Sequence, residues 1–460
     1  QWHHPFENSE DFDASFPVDY ICEAVDQTRG WFYSLLAIGT TVFDSITYRR
    51  CLSLGHILDK DGKKMSKSRG NVVNPWDHFD KEGSDSIRWY MMTQSAPWTP
   101  TNFDPMGVRE SYAKMFLTLW NVHRFHSDYA ALDGFDADDE AGYVAIGDRS
   151  PLDRWILSRL NTVANGYHEH FVAWDFHKAG RELEAFVVND LSNWYVRRSR
   201  RRLWDEADSN DKRACQHTLH EVLVTVCRLM APVAPFMPER IHRDLTGASV
   251  HLADWPVGSE LVDANLPPLD YGLEQEMALV RTLAERGRRV RVEAGRRQRL
   301  PCRAGWIVGG PDISRFHDLL AEELNVESLT TEDDLERFQR VVIEPNRKAL
   351  GRKCRQDLPA VLALLAEAEP DNILLEIDAG ICLIEGYDIT LDDIETRRVE
   401  KDGFAAATIS DENVGDVSLV LDMSLDDDLL SKGLARDIIR RVQAERKALD
   451  LDVEATIGLS

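Results

Sequence analysis

The stretch CLSLGHILDKDGKKMSKSRGNVVNP, residues 51–75, passes from an apolar run into a glycine-bracketed loop carrying Lys60, Lys63, Lys64, Lys67 and Arg69. The chain around it is acidic, with 79 Asp and Glu against 54 Lys and Arg and a formal net charge of -25. A local knot of cations on such a chain needs a reason. Ligands of open α/β sheets bind beyond the carboxyl ends of the strands, which is where this loop falls if residues 51–58 are a strand. Gly62 and Gly70 reach backbone conformations that other residues avoid, so the loop can move. Ammonium groups delivered by a mobile loop neutralise charge that builds on a departing pyrophosphate. Ser66 and Ser68 add hydroxyl donors. A solvated surface loop has the same composition, and on composition alone both readings stand.

Upstream, FPVDYICEA (16–24) is a mostly apolar run, and QTRGWFYSLLAIGTTVF (27–43) places Trp31, Leu35, Ile38 and Val42 at helical spacing. With residues 51–58 they read as strand, helix, strand in a parallel α/β unit. His56 falls inside the last of these strands. Residues 80–130 are helical with a break at SAPWTPTNFDP, and DGFDADDEAGYVAIGD (133–148) is a loop. Ser150, Pro151 and Asp153 form a helix-start signal. Behind it Ile156, Leu160, Val163, Tyr167 and Phe171 share one face, and a later helix with Leu219, Val222, Leu223, Val226 and Met230 is stopped by APVAPFMP. After the proline-punctuated WPVGSELVDANLPPLD, helical patterns precede strand-like runs in RVVIEP, ILLEI, GICLI and VSLVLDM, and a helical pattern returns at 429–449. The expected fold is multidomain. An α/β segment spans 1–105, a helical connector 106–149, an all-α bundle 150–255 and an α+β domain 256–460.

The negative balance argues against one large nucleic-acid-binding field while permitting local basic patches, and it would suit a high-salt cytoplasm. The seven cysteines are scattered, with no CxxC pair, so a reducing compartment and no bound zinc are expected. No apolar run is long enough to span a bilayer, and a cytoplasmic protein is the resulting expectation; a monomer is expected as well. Neither end reads as a natural terminus: the first residue is not methionine, and LDLDVEATIGLS stops as an apolar alternation begins.

Lys64-Met65-Ser66-Lys67-Ser68 resembles, letter for letter, the KMSKS signature of class I aminoacyl-tRNA synthetases. EAVDQTRGWF (23–32) resembles the amino-acid and adenylate-binding segment of the isoleucyl members. LSNWYVRRSRRRLW (191–204) and LMAPVAPFMPERI (229–241) are similar to their anticodon-binding helices, and VRVEAGRRQRLP (290–301) to a piece of their C-terminal region. The resemblance implies that residues 1–105 are the second half of a Rossmann-type catalytic domain. It implies that Lys67 contacts ATP phosphates in the activation transition state, with Lys64, Met65, Ser66 and Ser68 completing the ATP-binding loop. It further implies that Glu23, Asp26, Gln27 and Trp31 line the aminoacyl-adenylate pocket. Ala24 departs from the glycine usual after the glutamate, so backbone approach there differs.

The substrates implied are isoleucine, Mg-ATP and tRNA(Ile). Arg197, Arg198, Arg201 and Arg202 would contact the tRNA, with Trp194, Tyr195 and Trp204 available to stack on unpaired bases. A second basic group runs from Arg286 to Arg299. Core packing for Trp194 and carboxylate pairing for the arginines are the alternatives. The HIGH-type motif of the family and its editing insertion are missing from these residues, so the chain is expected to be a C-terminal portion, inactive alone. Valyl, leucyl or methionyl relatives, a non-catalytic tRNA-binding module and another nucleotidyltransferase remain as other readings; DQTRGWF favours isoleucyl over its sister enzymes.

Overall fold

The alternation of apolar strand and amphipathic helix in residues 18–54 resolves as a parallel unit. The computed structural model of the chain describes residues 3–205, 209–257, 267–380, 382–411, 414–451 and 458. It divides into two compact units, Gln1–Glu274 and Gln275–Ser460. In the first, α1 (Ser9–Ser15) precedes β1 (Val18–Ala24), a 3-10 turn (Val25–Arg29), α2 (Trp31–Phe43) and β2 (Tyr48–Leu54). β1 and β2 are parallel, with Val18 opposite Tyr48 and Ala24 opposite Leu54. β3 (Ile57–Leu58), α3 (Trp76–Glu82), α4 (Ser84–Thr93), β4 (Thr101–Asn102), α5 (Pro105–Ser111) and α6 (Leu117–Asp133) follow, and β3 pairs with β4 in parallel. His56 lies in the break between β2 and β3 rather than within a strand.

The face of α2 predicted from sequence is not the one that packs. Trp31, Ile38 and Val42 are 45%, 56% and 65% exposed, whereas Phe32 and Gly39 are buried. These two stand seven residues apart, two helical turns, and so share a narrow stripe. A two-stranded sheet covers no more than such a stripe. At Gly39 the turn into β2 folds back closely: a Cβ there would stand 2.8 Å from the Ser45 carbonyl oxygen.

The helical bundle forms as the start and stop signals require. Ser150 Oγ accepts the Asp153 backbone N–H at 3.2 Å, Pro151 takes the first position, and α7 runs Pro151–Val172. Ile156, Leu160, Val163 and Tyr167 are fully buried, each aliphatic side chain contributing ~1.5–3 kcal/mol by leaving water, while Phe171 is half-buried and stacks on Tyr167. α8 (Phe176–Ala185) continues through a wide π-helical stretch, Phe186–Val196, into α9 (Arg197–Trp204). α10 (Asn210–Met230) buries Leu219, Val222, Leu223, Val226 and Met230 and ends at the proline-rich segment, after which α11 (Phe236–Thr246) begins.

Four histidines sit in this region: His126 on α6 and His217 and His220 on α10 surround Phe135, and His123 on α6 packs against Trp120. Burial lowers the pKa of each, and His126, with His220, His123 and His217 adding repulsion, is pushed down to about 3. Asp244 beside His123 and Glu221 beside His217 and His220 oppose the shifts without reversing them. The folded pKa values lie below the unfolded value near 6.5, so the unfolded chain binds more protons as pH falls through 6.5. Stability is therefore full above that pH and is lost below it, by ~1.4 kcal/mol per pH unit for each histidine kept neutral. Urea midpoints at pH 7.5, 6.5 and 5.5, above the carboxylate range, should fall across the last step. The fall should be smaller in His126→Phe.

The second unit starts within α12 (Tyr271–Glu293). β5 (Cys302–Val308), α13 (His317–Leu324), β6 (Val326–Glu332), β7 (Gln339–Pro345), α14 (Arg347–Cys354), α15 (Leu358–Glu367), α16 (Pro370–Asp378), β8 (Leu383–Ile384), β9 (Tyr387–Asp388), β10 (Ile394–Glu400), β11 (Phe404–Asp411), β12 (Gly415–Asp422) and α17 (Asp427–Ala448) complete it. Its main sheet has the order β11-β12-β5-β6, with β5 and β6 parallel and β12 antiparallel to both its neighbours; β7 and β10 form an antiparallel pair.

ILLEI, expected as a strand, is helical. Pro370 occupies a first-turn position, and Ile373, Leu374 and Ile377 then meet one apolar cluster around Leu350, Val361 and Leu365. Spacings of one and four residues suit a helix face, not a sheet face. Within GICLI, strand structure is confined to Leu383–Ile384 among the described residues. The alternation expected in LDLDVEATIGLS falls mostly outside the described residues, as does much of the 255–270 linker. No helix among the described residues is long and apolar enough to cross a membrane.

Candidate functional site

The lysine loop leaves the carboxyl end of β3 and is built by turn chemistry. Asp59 is buried; its Oδ1 accepts the N–H groups of Asp61 at 3.0 Å and Lys63 at 2.8 Å, turning the chain at Gly62, whose φ is +76°. Lys64 bridges back to Leu58. Met65, the apolar letter of the signature, is partly buried against the cluster of Tyr90, Phe103 and Val108. It pins the middle of the loop to α4 and α5. A short 3-10 turn, Lys67–Arg69, then ends at Gly70 with φ +64°.

Asn71 closes the structure. Its Nδ2 donates to Asp59 Oδ2 at 2.7 Å and to the Lys64 carbonyl at 3.3 Å, and its Oδ1 accepts the Ser66 N–H at 2.9 Å. These bonds, the Asn71 amide first, hold the Asp59 carboxyl below the usual carboxylate range. Ser66 and Ser68 hydroxyls stand 3.3 Å apart. Lys63, Lys64 and Lys67 remain exposed, their charges presented by a backbone that is tied down. Asp59 and Asn71 were not singled out from sequence; the available signal was turn-forming Asp and Asn flanking the two loop glycines.

The second string lies at the carboxyl ends of the neighbouring strands. Glu23 is exposed near the end of β1, opposite Ser53 of β2. Asp26 is exposed in the 3-10 turn and its Oδ1 stands 3.8 Å from His56 Nδ1. Gln27 Oε1 accepts the Trp31 N–H at 2.8 Å and so caps α2. Trp31, the first residue of that helix, keeps its ring half in solvent. The parallel register therefore gathers Glu23, Asp26 and His56 along one sheet edge. The lysine loop leaves a few residues further on.

Beyond the loop, α4 is fastened to the bundle. The buried Asp85 accepts the N–H groups of Phe236 at 3.1 Å and Met237 at 2.8 Å, satisfying the orphan donors that open α11, and burial raises its pKa. Arg88 donates to the Val233 carbonyl and Trp89 Nε1 to Glu184 at 3.1 Å. Arg181 donates in return to the Thr93 and Gln94 carbonyls.

The arginine clusters divide by role. Arg202 reaches both oxygens of the buried Asp153, at 2.8 and 2.6 Å, and Asp211 at 2.7 Å, so its guanidinium is occupied inside the bundle. Arg198 lies with its guanidinium 5.1 Å from the Trp194 ring centre. Arg197 and Arg201 are exposed on α9. Trp194 is 5% exposed and Tyr195 fully buried, both core residues; Trp204 is half-exposed.

In the second group Arg288 pairs with Glu323, Arg289 with Glu293 and Arg299 with Asp437. Arg291 is fully buried; backbone carbonyls of Leu324, Asn325, Arg297, Gln298 and Leu300 and the Cys302 sulfur surround it, and burial lowers its pKa. Arg286 and Arg297 are exposed. Among the described residues no three His, Cys, Asp or Glu side chains stand together as metal ligands.

A lysine loop at the carboxyl edge of a parallel unit, locked to a helical bundle, agrees with what comparison with known proteins shows. The chain belongs to the class I tRNA synthetases: residues 1–104 match the family described as tRNA synthetases class I (I, L, M and V), and residues 153–304 the anticodon-binding domain of tRNA ligase. Within that class its relatives are isoleucine–tRNA ligases. It is 36% identical to that of Clostridium acetobutylicum, 39% to that of Streptomyces avermitilis and 40% to that of Streptomyces coelicolor, each match covering 100% of this chain and 44% of the relative. The chain thus spans less than half the length of the curated relatives it matches. A solved structure of Mycobacterium tuberculosis methionyl-tRNA synthetase bound by methionyl-adenylate is 20% identical over 58% of this chain and 51% of that one, with a TM-score of 0.47.

Proposed function

We propose that the chain is the part of an isoleucine–tRNA ligase that supplies the phosphate-facing lysine loop and the tRNA-facing helices. The whole ligase converts isoleucine and Mg-ATP to isoleucyl-AMP and pyrophosphate, then transfers the aminoacyl group to tRNA(Ile). A carboxylate oxygen of isoleucine bonds to the α-phosphorus as its bond to the bridging oxygen breaks, and negative charge collects on the leaving pyrophosphate. Lys67 and Lys64 neutralise that charge, with Ser66 and Ser68 as hydroxyl donors; a charge met more strongly in the transition state than in the bound substrate lowers the barrier. Glu23 at the strand end meets the isoleucine ammonium, Asp26 stands beside it, and the exposed half of Trp31 walls an apolar side chain. Gln27 acts at one remove, by fixing the start of α2.

The observation that carries this reading is the exposed lysine triplet on a loop braced at both stems, at the carboxyl edge where sheet ligands bind. Amino-acid-dependent ATP/pyrophosphate exchange by a full-length ligase containing this chain, run with a panel of amino acids, tests it. Isoleucine should give the highest kcat/KM. A preference for valine, leucine or methionine would move the assignment to a sister enzyme, and exchange with none of them would favour a tRNA-binding module.

Arg197 and Arg201 on α9, with Arg198 behind them, are proposed to meet tRNA phosphates, and Trp204 to stack on an unpaired base. Arg201→Ala should weaken tRNA(Ile) binding and reduce the slope of log affinity against log salt by about 0.7–0.9, one contact's worth. An unchanged slope would remove Arg201 from the interface.

A further inference from the structure

The loop's presentation of its lysines rests on two side chains outside the signature itself. Asp59, before the turn, and Asn71, after Gly70, meet at 2.7 Å and span 12 residues of sequence. Every strong bond of the pair has a structural target. Asp59 Oδ1 sets the entry turn through Asp61 and Lys63, and Asn71 Oδ1 takes the Ser66 N–H, immediately before Lys67. Asp59 is buried although its neighbours Lys60 and Asp61 are exposed, so the loop folds over the pair. Met65 seats the centre of the loop but gives no register to the backbone on either side, because a flexible thioether packs in many orientations. The directional bonds come from Asp59 and Asn71.

We propose that Asp59 and Asn71 are the positioning pair of the lysine loop: acting only through the backbone of residues 61–66, they fix where Lys64 and Lys67 stand relative to the nucleotide phosphates. The proposal rests on the ATP reading above for its consequence, though not for its geometry. Neither residue touches the reacting atoms. Their effect is to leave less loop ordering to be completed when the transition state forms, and a misplacement of about 1 Å can cost up to ~100-fold in rate.

The pair makes an unusual swap test possible. Asn71→Asp alone sets two carboxylates against each other. Combining it with Asp59→Asn restores a donor facing an acceptor and keeps carbonyl-type acceptors for Asp61, Lys63 and Ser66, giving up the long 3.3 Å bond to the Lys64 carbonyl. Two readouts separate this proposal from the function it serves. In the 460-residue chain, trypsin cleavage after Lys63, Lys64, Lys67 and Arg69 should run about 10-fold faster in Asn71→Asp, with the urea midpoint unmoved, and return to within about 2-fold of the parent in the double variant.

In the full-length ligase, isoleucine-dependent exchange should fall about 10-fold in kcat with the KM for ATP little changed, and recover in the double variant. Equal cleavage rates in all three proteins would overturn the proposal. So would a double variant no better than Asn71→Asp, or a urea midpoint that falls in step with cleavage, which would make the pair a general stability element. If instead cleavage responds as expected while Lys67→Ala leaves exchange unchanged, the positioning holds and the phosphate role fails.

Discussion

Lys67→Ala, built into a full-length ligase, is expected to lower isoleucine-dependent ATP/pyrophosphate exchange by about 100- to 1,000-fold, the loss typical of a preorganised group aimed at developing transition-state charge. Isoleucine binding, measured without ATP by calorimetry, should stay within about 2-fold. The split follows from where the side chain stands: it is exposed, on the 3-10 turn between Ser66 and Gly70, and reaches whatever lies beyond the strand ends. It has no part in the core that holds Glu23 or Trp31. Lys67→Arg keeps the charge but replaces a compact ammonium by a planar fork, and it should recover only part of the rate. A kcat for Lys67→Ala within about 3-fold of the parent would end the assignment.

The second large effect concerns the bundle. Asp153→Ala should lower the unfolding free energy by about 3–5 kcal/mol, because Asp153 is the buried partner of a largely buried cation. Its carboxylate accepts Tyr195 Oη–H at 2.5 Å, the Ser150 hydroxyl at 2.8 Å and two Arg202 N–H groups at 2.8 and 2.6 Å. Removing it leaves Arg202 with its bonds to Asp211 and the Tyr195 hydroxyl with only the Cys215 sulfur at 3.6 Å. Arg202 owes its strongly raised pKa to the same contacts, which outweigh burial.

Asp153→Asn keeps one acceptor oxygen and should cost about half as much. Urea unfolding of the chain, followed by tryptophan fluorescence, reads both. A change below 1 kcal/mol for Asp153→Ala would show that Arg202 finds another partner. The same network predicts that Arg202→Ala acts on stability more than on the salt dependence of tRNA binding, unlike Arg201→Ala.

Much of this was legible in the residues. The strand–helix–strand unit, the start of α7 at Ser150-Pro151, the stop after Met230 and the lysine loop after a strand each depend on interactions within a few residues of sequence. Capping, fixed proline torsions and apolar spacing act at that range. The five-residue run at 373–377 shows where the local signal fails: alternation and helical spacing overlap in a short apolar run, and Pro370 is the deciding letter.

The arginines show a different limit. RRSRRRLW and RRVRVEAGRRQR read as uniform basic strings, yet Arg202 and Arg291 are bundle and core residues while Arg201 and Arg297 face solvent. A guanidinium has the same letter in either place, and only the approach of Asp153 from 49 positions away, or of the carbonyls around Leu324, decides which it is.

Sequence alone determined the charge and the turn positions of the loop, because lysine charge, glycine torsions and the order of the signature are local properties that survive in any fold. It also determined the class of architecture, because hydrophobic periodicity sets element type before any element meets another. Tertiary structure alone decided which face of α2 is covered, which arginines are drawn inside and which stay exposed, and that Asp59 and Asn71 brace the loop. Those outcomes depend on pairs of groups distant along the chain, whose meeting is fixed by packing and hydrogen-bond geometry rather than by the identity of either residue.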